Sequence, residues 1–308
     1  MSDDDIAIVD AHHHLWDLSL GAQPWLTEPP WIPFRYGDYG PIRRDFLQAD
    51  YRRATGRHRV VATVTMEAEW AEARLVDETD WTYRQHQADT TLPAAHVART
   101  FLHAPGAADQ IARQAACPIV RGIRHKPTAA PSPDRIEPNA PGGLGDPWWR
   151  RGYAALARNG LHFELQAPWW HVDELLGLVA AHPETTVVIN HAFLPADRSP
   201  EAMAGWGRAI RRAAEAPQTI MKISGIGVPG EPWSVDLQQP VVEALIESFG
   251  PSRAMFASNF PVDGLTGSFE EIFTVYKAVT HGLPEADRRA LFHDTACRVY
   301  RIGHTANV

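Results

Sequence analysis

Near its N-terminus the chain reads Asp10-Ala11-His12-His13-His14-Leu15-Trp16-Asp17, directly after the apolar run Ile6-Ala7-Ile8-Val9. A short apolar run bounded by polar residues predicts a strand, and alternate residues on a strand face the same way. His12 and His14 would then share a face, with backbones about 7 Å apart from a rise of roughly 3.3 Å per residue. Two imidazoles so placed can converge on one ion. Zinc accepts His nitrogen at about 2.0–2.1 Å, and a catalytic zinc site keeps one position open for water or substrate. The plainer alternative is a solvated run or tag remnant, but this run is internal and abuts a strand.

Other chemically useful residues sit at the ends of similar runs. His191 closes VVINH, and Arg124 and His125 close IVRGIRH. Arginine presents a planar fork of donors that matches two oxygens, so Arg124 and His125 are candidates to hold a carboxylate or polarise an ester carbonyl. The alternative for Arg124 is an ion pair with an interior acid such as Glu164. In VTMEAEW, Glu67 and Glu69 alternate onto one face. In LHFELQ, His162, Glu164 and Gln166 share one parity and Phe163 and Leu165 the other, so the polar set is expected inside a barrel, with Gln166 a substrate hydrogen-bonder at the strand end. Asp263 follows Asn259 by four residues in SNFPVD. Each of these acids could instead be a surface carboxylate or an arginine partner.

The elements that must position these groups alternate. Eight apolar runs read as strands: 6–11, 59–66, 93–98, 119–124, 161–166, 186–191, 219–224 and 253–258. Helical periodicity fills the intervals, most clearly in the second half, and several helical segments stop at Gly or Pro. This pattern predicts an α/β fold, a single-domain (β/α)8 TIM barrel over residues 1–308, in preference to an open doubly wound sheet. Long loops follow strands 1 (Trp16 to about Phe46) and 4 (Lys126 to about Pro147). Both would lie on the face where such barrels build active sites, so their Trp and Pro content suggests a stiff apolar wall or lid, with Trp16 against the substrate. The alternative is a variable surface loop. Because His12 and His14 end strand 1 and His191 ends strand 6, a barrel brings all three to one rim.

Composition excludes other classes. Of 308 residues 44% are hydrophobic and 21% charged, enough apolar side chain for a core. The net charge of −8 gives no cationic field for nucleic acid or an anionic membrane. Two cysteines, Cys117 and Cys297, do not make a disulfide scaffold. The acidic start MSDDD lacks the basic region of a signal peptide, and no apolar run reaches the roughly 18 residues of a membrane span, so a cytoplasmic protein is expected. No GxGxxG or GxxxxGK[ST] marks a phosphate loop. A small molecule is the expected partner, and the sequence allows a homodimer without indicating one.

DAHHHLWD resembles the opening of the amidohydrolase superfamily, in the lactonase branch that includes L-fuconolactonase and 2-pyrone-4,6-dicarboxylate lactonase. GIRH, VVINHAFLP, IMKISGIG and MFASNFPVD resemble that branch's motifs at strands 4, 6, 7 and 8, in the same order. The resemblance implies a barrel hydrolase with His12, His14 and His191 as ligands of a divalent metal, zinc the expected ion, although some members work without one. The eighth-strand position, usually Asp, is Asn259. A neutral amide cannot act as a general base, which leaves Asp263, Glu67 or Glu69, and then Glu164, as replacements. The implied reaction is opening of a cyclic ester, a lactone of a sugar acid or of a small carboxylated ring, by water attack. Two alternatives remain: a metal-dependent decarboxylase of an aromatic or enoic acid, and a barrel that binds such acids without turnover.

Overall fold

A computed structural model describes residues 6–303. Eight parallel strands form one sheet in sequence order: β1 (Ile8–His13), β2 (Val60–Met66), β3 (Ala95–Arg99), β4 (Val120–Arg124), β5 (His162–Leu165), β6 (Val187–Ile189), β7 (Thr219–Ile223) and β8 (Ala254–Phe256). Each coincides with a run read from sequence, within one to three residues at either end. The ring is closed just beyond β8, where Asn259 N–H donates to His12 O at 2.7 Å and His14 N–H to Phe260 O at 2.7 Å. The fold is the expected (β/α)8 barrel.

Strand alternation sorts the side chains into two layers. Val9, Ala11, Val64, Val97, Val188 and Met255 meet inside the barrel, while Phe163, Leu165, Val187, Ile189, Met221 and Ile223 pack outward against the helices. Helices follow the strands as the periodicity predicts, including Val172–Ala181, Pro200–Glu215, Val235–Phe249 and Phe269–Val279. Ser199, Ser234 and Ser268 begin the last three by accepting from backbone N–H groups that would otherwise be orphaned. The far end of the barrel is plugged by Tyr300, on the helix Thr295–Tyr300, whose hydroxyl reaches Glu164 Oε1 at 2.6 Å.

One extra residue on β1, between Asp10 and His13, interrupts its register with β2. This bulge lets Val9 and Ala11 face inward below while His12 and His14 face inward above. Asp10 turns aside and accepts from Ser258 N (2.8 Å), Ser258 Oγ (2.6 Å) and Tyr51 Oη (2.7 Å), tying β1 to the β8 end and to the helix Gln48–Ala54.

The helix Pro147–Tyr153 approaches the loop after β3 so closely that a Cβ on Gly152 would lie 2.0 Å from Leu102 O. Gly152→Ala should therefore destabilise the protein by about 1–3 kcal/mol through forced displacement of backbone. Urea denaturation would check this; an unchanged midpoint would show that the contact can open at no cost.

Candidate active site at the C-terminal mouth of the barrel

A cavity of about 230 Å³ opens at the C-terminal ends of the strands. His14, His191, Asn259, Arg124, Glu67, Glu69, Lys126 and Gln166 form its polar floor and sides. Trp16, Trp25, Ile32, Pro33, Phe34 and Arg35, from the loop after β1, form its wall and roof. That loop is the expected lid. The loop after β4 contributes only Lys126 and otherwise leans away, held by Trp170 Nε1–H to Ala130 O (3.0 Å) and by Ala130 N–H to His171 Nε2 (2.9 Å).

The three imidazoles do converge. Ring centres lie 5.2 Å apart for His12 and His14, and 4.6 Å apart for His12 and His191. All three rings are buried and held below the usual histidine range, by loss of solvent first and then by nearby cations: Lys222 for His12, Arg124 for His14, Arg35 and Arg124 for His191. They are neutral at pH 7.

His191 is delivered by an unusual turn. Residues 191–194 have φ of 53°, 55°, 60° and 55°, left-handed backbone at roughly 1–2 kcal/mol per residue for side chains with a Cβ. Burial of Ala192 and Phe193 and a 2.7 Å hydrogen bond from Trp206 Nε1–H to Ala192 O offset this cost. His191 Nδ1 meets Ser224 Oγ at 2.9 Å, which fixes the ring. Gly225, at φ +62°, leaves room beside it; a Cβ there would lie 2.8 Å from His191 Cβ and 2.6 Å from an Arg35 terminal nitrogen.

Acids and bases around the cavity are paired. Arg124 donates to Glu67 Oε1 (2.6 Å), to the Glu67 carbonyl (2.9 Å) and to Gln166 Oε1 (3.3 Å). Burial alone would raise the Glu67 carboxyl, but the Arg124 guanidinium, with Arg99 and Lys126 further off, holds it well below the usual carboxylate range. Lys126 pairs with Glu69 at the rim. Beneath the floor Glu164 pairs not with Arg124 but with Lys222, at 2.8 Å, and also meets Tyr300, His162 and Asn190. Burial would raise Glu164, yet the Lys222 ammonium and the hydrogen bonds bring it down to about 2.

These positions correct several expectations about roles. His125 does not face the cavity: its Nδ1 accepts Leu102 N–H at 3.1 Å and its ring packs near Phe101, His103 and Trp149. Glu67 and Glu69 do share a face at the cavity, but each is taken by a cation. Asp263 is fully buried behind Asn259 and does not line the cavity. Glu164 lies below the floor. Residues the sequence reading passed over include Arg35, Tyr36, Lys126 and Lys222. A lysine at the inward parity of the apolar strand TIMKI was the available signal for Lys222.

Neutral imidazoles with unpartnered buried nitrogens, His12 Nε2 and His14 Nδ1, match the donor type a divalent ion such as zinc requires. Among the described residues, though, no three His, Cys, Asp or Glu side chains form a ready-made ion site. Lys222 Nζ stands 3.4 Å from His12 Nδ1. Binding through His12 Nε2 would require that contact to turn away or lose its ammonium proton.

The sequence comparisons agree with this geometry. The amidohydrolase family model matches residues 9–302, so the chain belongs to the amidohydrolase family and is, in general class, a hydrolase. It is 34% identical over 299 residues to the uncharacterized protein y4mH of Sinorhizobium fredii, covering 97% of this chain and 99% of that one. It is 26% identical over 311 residues to an L-fucono-1,5-lactonase of Burkholderia multivorans, covering 97% of each. Its fold matches a crystal structure of a Burkholderia multivorans amidohydrolase with bound zinc at a TM-score of 0.77, with 24% identity over 96% of this chain and 99% of that one. Among the described residues no helix is long and apolar enough to cross a membrane.

Two stability outcomes follow from the pairing. Glu67→Ala leaves the Arg124 charge buried without its partner and should cost about 3–5 kcal/mol, read from urea unfolding. Because Glu164 is depressed when folded, its contribution is present above the unfolded carboxylate range near pH 4.3 and lost as pH falls toward about 2. Lys222→Met with Glu164→Gln removes both charges, and should flatten the loss of stability between pH 5 and pH 2.5. An unchanged slope would mean the pair is not ionised in the folded protein.

Proposed function

We propose that the protein opens the lactone of a neutral sugar acid by water attack at the ring carbonyl. The observation that carries this reading is the charge balance of the cavity. Arg124 is met by Glu67, Lys126 by Glu69 and Arg35 by Asp263, and the imidazoles are neutral, so no surplus cation is left for a substrate carboxylate. A carboxylated ring or aromatic acid would bring an unmatched charge into a partly desolvated site. A polyhydroxylated lactone brings none, and its hydroxyls find Gln166, Asn259, Glu69 and Lys126. The Trp25 and Phe34 rings, stacked within 8° of parallel, offer an apolar face for the sugar ring. The L-fucono-1,5-lactonase relative supports the same substrate class.

His191 lines the cavity with its ring fixed through Nδ1 and its Nε2 free, and serves as the general base. It takes a proton from the attacking water and returns it to the ring oxygen as the acyl C–O bond breaks, giving the open hydroxy acid. Three of Arg124's five N–H groups are used by Glu67 and Gln166; the remaining two face the developing oxyanion, an effect worth on the order of 3 kcal/mol. A divalent ion held by His12, His14 and His191 would supply Lewis-acid polarisation and a lowered water pKa.

Because burial holds His191 below the usual histidine value, the base stays unprotonated through neutrality and loses function only as pH falls below that lowered value. The kcat/KM profile should be flat from pH 6.5 to 8, with its acid limb below pH 6.5. His191→Ala should lower kcat by roughly 10²–10⁴. A panel of neutral aldonolactones and one carboxylated pyrone, assayed with and without added zinc, tests the reading. Turnover of the aldonolactones at least a hundredfold faster is expected; preference for the pyrone, or no lactone turnover, would contradict it.

A further inference from the structure

One carboxylate joins four parts of the site. Asp263 is fully buried, on the short helical turn Val262–Leu265 beyond β8. Its Oδ1 accepts from Asn259 Nδ2 at 2.7 Å, from the Tyr36 hydroxyl at 2.9 Å and from an Arg35 terminal nitrogen at 3.3 Å. Its Oδ2 accepts Gly225 N–H at 2.9 Å. Asn259 belongs to the β8 end, Gly225 to the β7 end, and Arg35 and Tyr36 to the loop that roofs the cavity. The last two are separated from Asp263 by more than 220 residues.

Two consequences follow from donor chemistry. A carboxylate oxygen only accepts, so the Asn259 amide must turn its NH₂ toward Asp263 and its carbonyl oxygen toward the cavity. Asn259 also has φ +54°, left-handed backbone that positions this amide and that the hydrogen bond helps to hold. Tyr36 and Arg35, in turn, have no other link to the barrel floor among their hydrogen bonds, so the roof segment around Phe34 rests on Asp263.

We propose that Asp263 is a positioning residue, not the proton acceptor: it sets the Asn259 amide toward the substrate and tethers the roof loop over the cavity. One carboxylate thus couples closure of the roof to assembly of the eighth-strand end. For its kinetic readouts this inference rests on the lactonase reading; for the roof it does not.

The test compares Tyr36→Phe and Asp263→Asn with the wild-type protein by amide hydrogen exchange and by lactone kinetics. Both variants should exchange amides 34–38 at least tenfold faster while strand amides are unchanged. Tyr36→Phe should lose kcat/KM several-fold, mainly through KM. Asp263→Asn should also lower kcat about tenfold, with the acid limb of the kcat/KM profile kept at its wild-type midpoint. Unchanged roof exchange in both variants overturns the tether, and loss of the acid limb in Asp263→Asn makes Asp263 the base and overturns the positioning role. If Asp263→Asn fails to fold, roof exchange in Tyr36→Phe decides alone. Faster roof exchange in a protein that turns over no lactone would support the tether while removing the lactonase reading.

Discussion

The inside of a parallel barrel is closed to water, so any charge carried there must be met by another. This constraint organises the whole mouth of the molecule. Lys222 and Glu164 neutralise each other beneath the cavity floor, and Arg124 and Glu67 do so at its side. Because these pairs lie deep, their geometry is rigid, and the groups resting on them inherit that rigidity. Arg124 is aimed by Glu67 and Gln166 before any substrate arrives, and such prior orientation of donors is what electrostatic catalysis needs.

Neutrality then works at a second level. Desolvation keeps His12, His14 and His191 uncharged, while the rim pairs Lys126 with Glu69 and Arg35 with Asp263. The cavity is rich in hydrogen-bonding groups but carries little net charge, and one wall is aromatic. That combination separates a polyhydroxylated lactone from a carboxylated ring, which shared strand-end motifs could not do.

Much of the architecture was legible in the sequence because it follows from periodicity. Strand and helix alternation gave eight strands near their true places, and parity in LHFELQ placed His162, Glu164 and Gln166 inward. The convergence of His12, His14 and His191 followed from barrel closure. Pairing was not legible: nothing local to Arg124 says that it meets Glu67, 57 residues away, instead of Glu164. His125 shows the same limit, since one residue beyond the inward Arg124 the strand parity reverses and the ring turns to Leu102 and Trp149. The roof contacts of Arg35 and Tyr36 come from an irregular loop, where no periodicity exists to read.

The most direct measurement is a crystal structure of the protein soaked with the open hydroxy acid of a neutral sugar lactone. The account predicts its carboxylate at the mouth of the barrel, hydrogen-bonded to Arg124 and within reach of His191 Nε2, with the sugar chain along Trp25 and Phe34. An acid bound elsewhere, with Arg124 and His191 making no contact to it, would contradict the account.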